Sequence, residues 1–325
     1  ITFLQMLINF SMKCKGGIME YKAYKLRFLT GVHFGKGSLD DTSYAFCADT
    51  LFSALCIEAL KDSEQRLNNF VNTVKSGKLI FSDAMPYIGE DLYIPKPMCE
   101  IKHNNDDDGN SLKKKFYKKL QYIPYYSIDD FINGDLIEEV ADDFEKLGKR
   151  VVRVSAAING QDQTVPYRVG AFYYNDGNGL YIIVGYENKD ALSEFEILAK
   201  SLGISGIGGE RSSGLGRFEI EEYAECDDLL EMIGTQSDYH MTLSVSLPNE
   251  SELESVLEDA RYKIIKRSGF VASSNYRERR KKDLYVLAAG ACVTHKFEGD
   301  IYDVGSDDGH AVYRYAKPVF MEVRV

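Results

Sequence analysis

Nothing in the 325 residues approaches the ~18 uninterrupted apolar residues that a membrane helix needs, so no membrane-spanning helix is expected. The six cysteines (Cys14, Cys47, Cys56, Cys99, Cys226, Cys292) contain no C-x-x-C pair, which argues for a reduced, cytosolic setting. The five histidines are equally scattered, and no His, Cys or carboxylate group has metal-ligand spacing, so no metal or other cofactor is expected. Excess positive charge is missing too. With 39 basic against 50 acidic residues the net charge is −11, the wrong sign for a protein that coats nucleic acid indiscriminately. Any nucleic-acid contact must come from local basic clusters.

What is present is a soluble globular composition, 44% hydrophobic and 27% charged, in a chain long enough for two domains. Residues 1–18 look foreign to the fold: Met19 directly precedes a clean strand pattern, and their basic residues follow the apolar run, the reverse of a signal peptide. They are expected to be a leader outside the fold. Tyr24, Leu26 and Phe28 alternate with Lys25 and Arg27, as in a half-buried strand. Asp49 or Thr50 is expected to cap a helix whose Phe52, Leu55, Cys56, Ala59 and Leu60 form its apolar face. Leu67, Phe70, Val71 and Val74 mark a second helix. Arg150–Ala157, Tyr167–Tyr174 and Leu180–Glu187 read as strands, the last two joined by Asn175-Asp-Gly-Asn-Gly, a hairpin signal. A helix then places Leu192, Phe195, Leu198, Ala199 and Leu202 on one side. From Tyr239 a strand alternates apolar residues with His240, Thr242, Ser244 and Ser246, followed by a helix, Glu250–Ala260, and further strands. The expected class is α+β, with two ferredoxin-like (RRM-like) domains at 19–235 and 236–325. The first carries an insertion at about 85–178.

The richest segment is Gly203–Arg217, G-I-S-G-I-G-G-E-R-S-S-G-L-G-R, with six glycines, two arginines and three serines between a helix and a strand. Glycines permit close amide approach to an anion, and Arg211 and Arg217 add charged donors. The dinucleotide fingerprint fails, because Arg211 stands where its third glycine belongs. The P-loop fails as well, since Leu215 and Gly216 replace its Lys and Ser/Thr. A phosphate-holding loop and a plain glycine turn both remain open. Arg277, Arg279, Arg280, Lys281 and Lys282 place five cations in six positions, either along a nucleic-acid backbone or at a solvated hairpin tip. In Lys113–Tyr122, K-K-K-F-Y-K-K-L-Q-Y, basic residues interleave with aromatics, a pattern that can track and stack on single strands or form a solvated helix face. His33, in a glycine loop near Arg27 and Lys36, is either a general acid or base or a hydrogen-bonded loop histidine.

Taken in order, T-G-V-H-F-G-K-G-S-L-D-D-T-S (Thr30–Ser43), A-D-T-L-F-S-A-L (Ala48–Leu55), K-K-L-Q-Y-I-P (Lys118–Pro124), the glycine loop, R-K-K-D-L-Y (Arg280–Tyr285) and V-Y-R-Y-A-K-P (Val312–Pro318) resemble the RAMP superfamily of CRISPR proteins. Within it they are similar to the fourth subunit of the type III-A interference complex. The resemblance implies two RRM-like domains, an inserted thumb and a glycine-rich loop. It also implies a non-catalytic subunit that grips the 5′ repeat-derived tag of the CRISPR RNA (crRNA) and touches a large polymerase-domain subunit and a RAMP backbone subunit. The residues expected to hold RNA are His33, Gly35, Lys36, Lys118, Lys119, Gly206, Gly208, Gly209, Arg211, Ser212, Ser213, Gly214, Arg217, Arg277, Arg280, Lys281 and Lys282. The alternative is a metal-independent endoribonuclease of the RAMP class using His33.

Overall fold

The structure, a computed structural model, describes residues 19–102, 111–137, 139–157, 165–234, 237, 239–271, 279–305 and 310–324. The expected leader, residues 1–18, lies outside them. Helices and strands alternate irregularly along the chain, an α+β architecture. Among the described residues no helix is long and apolar enough to cross a membrane.

In the first half, strand Glu20–Phe28 pairs antiparallel with Asn178–Tyr186 on one side and Phe218–Tyr223 on the other. Leu79–Phe81 and Met85–Ile88 both pair with the far edge of Asn178–Tyr186. The sheet then continues through Asp91–Pro95 to Tyr122–Pro124. Its most buried strand, N-G-L-Y-I-I-V-G-Y, is covered on both faces, which is why its apolar residues run on instead of alternating. The turn at Asn175 forms, with Gly177 at φ +80° and the Asn178 amide donating to the Asn175 carbonyl, yet the expected hairpin does not. Both edges of Asn178–Tyr186 are already taken, so Val165–Tyr174 pairs instead with Gly148–Ala157 over ten registered positions.

Helices Ala48–Asp62, Glu64–Lys75 and Lys189–Ser205 close one face of this sheet. Leu192, Phe195, Leu198, Ala199 and Leu202 are buried as their spacing predicts, and the Asn188 side chain caps that helix by accepting from the Ala191 amide at 2.9 Å. In the first helix Leu60 is 48% exposed and Leu51 takes its place inside. Neither Asp49 nor Thr50 is the cap. Cys47 precedes the helix, and the first amide, Ala48, donates to the carboxylate of Asp83 at 2.7 Å. Asp49 lies in the first turn, where it meets Arg267 and Arg314.

In the second half, Tyr239–Thr242 pairs with Cys292–Val293 and with Phe320–Val323. Hairpin Ile264–Arg267/Leu284–Leu287 joins this sheet through the bridges Ser246 to Leu287 and Arg261 to Cys292. The expected alternation at Thr242, Ser244 and Ser246 fails: all three are buried, because the sheet is covered on both faces. Ser244 meets the cost by donating to the Lys317 carbonyl and accepting from the Val319 amide, both at 3.0 Å. The helix expected over Glu250–Ala260 is shorter, Leu253–Leu257. A last hairpin, Asp300–Asp303/Tyr313–Ala316, inserts Tyr315 between Phe52 and Phe81 of the first half. One apolar core therefore spans both halves.

Candidate nucleic-acid interface

The glycine loop divides into a locked base and an exposed tip. Gly206 ends helix Lys189–Ser205 at φ +80°, its amide donating to the Leu202 carbonyl at 2.7 Å. The Ile207 amide then meets the Gly216 carbonyl, and the Gly216 amide meets the Gly31 carbonyl at 2.8 Å. Gly208 and Gly209 press on His33: a Cβ at Gly208 would lie 2.6 Å from the His33 carbonyl oxygen, and one at Gly209 would lie 2.7 Å from the ring. These glycines are there for close packing, and the amides of Gly206, Gly209 and Gly216 are consumed inside the protein. An anion nest spread over the whole segment is therefore not the observed geometry.

The tip is different. Glu210 takes the left-handed conformation at φ +56°, costly for a residue with a Cβ, and its carbonyl accepts from the amides of Ser213 and Leu215. Arg211–Ser213 form one 3₁₀ turn ending at Gly214, φ +85°, with open space around it. Arg211, Ser212 and Ser213 are exposed, although the Ser213 hydroxyl is engaged by the Glu210 carboxylate at 3.2 Å. Arg217 is also exposed, while its amide donates to Thr30 Oγ1 and its carbonyl accepts from Leu29.

His33 connects this loop to the Phe34–Gly35/Thr42–Ser43 hairpin. It is 6% exposed, its carbonyl accepts from Gly209, and its Nδ1 lies 2.6 Å from the Gly170 carbonyl oxygen, which makes that nitrogen the donor. A general acid or base needs access to its substrate, and here the ring is used as a packing wedge. Gly35 and Lys36, just beyond, are exposed on the turn beside it. Gly35 and Gly209 thus both lie against the His33 ring, a Cβ on Gly35 falling 3.4 Å from its Nε2. Pattern reading missed two residues at the base: Tyr173, against which a Cβ on Gly31 would collide at 2.6 Å, and Arg153, whose guanidinium lies 5.2 Å from the Tyr173 ring. In the sequence Arg153 sits in R-V-V-R-V over 150–154 and Tyr173 in the expected strand Tyr167–Tyr174, and neither stands out by pattern.

The other basic candidates lie elsewhere. Lys118 and Lys119 are exposed on helix Ser111–Lys119, but this helix packs by Tyr117 and Leu120 beside Tyr122–Pro124, at the sheet edge opposite Phe218–Tyr223. Tyr117 faces inward and its hydroxyl accepts from the Leu136 amide at 2.8 Å, so it offers no stacking platform. Arg277 lies outside the described residues. Arg280 and Lys282 are exposed, whereas Lys281 is half-buried: burial, and then Arg314, hold its ammonium below the ordinary lysine range. The row of cations read from the sequence is split by this inward turn.

Among the described residues no group of three or more His, Cys, Asp or Glu side chains could hold a metal ion. A family model described as the CRISPR Csm4 C-terminal domain matches residues 235–323. The "CRISPR system Cms protein Csm4" of Mycobacterium tuberculosis (strain CDC 1551 / Oshkosh) is 40% identical over 294 residues, covering 89% of this chain and 93% of that protein. The protein of the same description from Streptococcus thermophilus is 36% identical over 324 residues, covering 94% and 100%. Among solved structures, a chain of the Csm3–Csm4 subcomplex in the type III-A CRISPR-Cas interference complex matches with a TM-score of 0.65 at 19% identity, covering 94% of this chain and all of that one. A chain of a Csm1–Csm4 cassette in complex with AMPPNP matches with a TM-score of 0.58 at 17% identity, covering 94% and 98%. At these identities the structural likeness carries the fold.

Proposed function

Because the chain belongs to the Csm4 family of CRISPR Csm complexes, we propose that it is the subunit that holds the 5′ repeat-derived tag of the crRNA in a type III-A complex, with the loop tip Arg211–Gly214 as the principal contact. Solved relatives are found with Csm3 and with Csm1, and we extend both partnerships to this chain as the backbone and large subunits. Cytoplasmic residence goes with that assembly.

The observation that carries the reading is the contrast within one loop. Gly208, Gly209 and Gly216 are locked on His33 and Gly31, while Arg211 and Ser212 stand in solvent between the left-handed Glu210 and Gly214. A rigid base with an exposed guanidinium and hydroxyls is what sugar-phosphate recognition needs. Gly35, Lys36 and Arg217 extend the contact, and Arg280 with Lys282 forms a separate one. Lys118 and Lys119, at the far edge, contribute to another stretch of RNA or only to solubility.

Strand order supports reading both halves as ferredoxin-like (RRM-like) units, 19–235 and 236–325. Taken in chain order and leaving out 82–177, the first half runs fourth, first, third, second across the sheet. The second repeats this order through Phe320–Val323, Tyr239–Thr242, Leu284–Leu287 and Ile264–Arg267. The excursion at about 85–178 is then the inserted thumb.

The test is retention of tag RNA by the assembled complex as salt is raised. Neutralising roughly six phosphates gives a log-log slope of about −4 on single strands, and Arg211→Ala lowers its magnitude. A flat salt response overturns the reading. Recovery of cleaved repeat RNA that is lost in His33→Ala would replace it with a ribonuclease.

A further inference from the structure

Hairpin Ile264–Arg267/Leu284–Leu287 has an inner and an outer face set by its register. Val286 is fully buried, and Leu284 and Ile265 pack on the core that spans both halves. With side chains alternating across a strand, this fixes Tyr285 outward, 58% exposed, directly opposite Lys266. The hairpin continues beyond its ladder to a bridge that sets Phe270, 62% exposed, opposite Arg280. Phe270 lies four residues beyond Lys266, past Ser268 and Gly269, which leave the ladder, Gly269 at φ +144°. Asp283 sits between the two cations: it binds Lys266 at 2.7 Å, and that bond, with Arg280 nearby, holds its carboxyl below the usual range.

We propose that this outer face, Lys266 and Tyr285 at one end and Arg280 and Phe270 at the other, is a second binding surface for single-stranded RNA, the rings stacking on bases and the cations meeting phosphates. At Tyr285 a ring is not needed to hold the ladder, because the inward residues Ile265, Leu284 and Val286 already fix its register. Two exposed rings, each opposite a cation, match the base-and-phosphate repeat of a single strand, with Ile264, 56% exposed, as an aliphatic neighbour on the same face. Asp283 orients the Lys266 ammonium and offsets one of the two charges, so stacking supplies most of the affinity. The proposal takes its ligand class from the RNA-binding reading above but uses none of the glycine-loop residues.

The experiment measures binding of a labelled single-stranded RNA of about ten nucleotides to the full chain and to its Tyr285→Ala, Phe270→Ala, Tyr285→Phe and Arg211→Ala variants. Both rings are exposed, so circular dichroism of the alanine variants should match the parent. Loss of one stacking contact weakens binding roughly 5- to 150-fold, and Tyr285→Phe, which keeps the ring, stays within about twofold. That pattern supports the proposal. Parent-like binding by Tyr285→Ala and Phe270→Ala overturns it, and if Arg211→Ala is then weakened the glycine-loop reading survives alone. If all variants bind like the parent, both readings fall. Unchanged RNA affinity with loss of a copurifying subunit makes the face a protein contact and also overturns the proposal.

Discussion

Asp49 and Arg267 form a two-point ion pair, Nε to Oδ2 at 3.0 Å and Nη2 to Oδ1 at 2.6 Å, although 218 residues separate them. Arg314 adds a third contact to the same carboxylate at 2.6 Å. The first helix of one half is thereby tied to two hairpins of the other. Burial alone would push the Asp49 carboxyl up, but the two guanidinium groups more than reverse this and hold it below the usual carboxylate range.

Removing that carboxylate leaves the Arg314 and Arg267 guanidinium groups without the ion pair they share, Arg314 nearly fully buried and Arg267 partly so. Asp49→Ala is therefore expected to cost about 3–5 kcal/mol, read as a lower urea midpoint. A loss under about 1 kcal/mol would show that the pair behaves as a surface salt bridge.

Asp83 gives a pH dependence of defined sign. Full burial pushes its carboxyl up to about 7, even though the amides of Ala48 and Val245 both donate to it. Between the unfolded carboxylate range and about 7, the native state holds a proton that the unfolded state has lost. Stability from this group is thus complete in acid and declines as pH rises to neutrality. Asp83→Asn keeps an acceptor for both amides and is expected to flatten that decline. Thermal unfolding at several pH values checks it, and an unchanged slope counts against the assignment.

Two glycines in one loop should respond differently to the same change. Gly214→Ala meets only the left-handed backbone cost of about 1–2 kcal/mol, because nothing lies near its Cβ. Gly216→Ala, at φ +83°, also drives a methyl group into Ile207 and should lose distinctly more. Equal unfolding temperatures for the two variants would deny the division into locked base and open tip.

His33→Ala is expected to lower thermal stability by removing a buried wedge and its Gly170 bond. Repeat RNA incubated with the parent protein should return at full length, as seen on a denaturing gel.

Local patterns made much of this architecture readable. The strand Glu20–Phe28 and the buried face of Lys189–Ser205 follow from periods of two and 3.6. Misreadings arose where distant chain decides. Asp49 looks like a cap because its arginines are over two hundred residues away. The Asn175 turn looks like a hairpin because a turn says nothing about which edges its strand has already filled. The glycine loop was found by composition. Its separation into packing and exposed glycines depends on His33, which reaches it only in the folded chain.

The most direct test is photo-crosslinking of a uridine-substituted crRNA tag in the assembled complex, followed by mass mapping of the attached peptides. The account predicts attachment within the peptide that carries Arg211, Ser212 and Gly214, and its loss in Arg211→Ala. Attachment of the tag confined to other surfaces, with this peptide recovered unmodified, would contradict it.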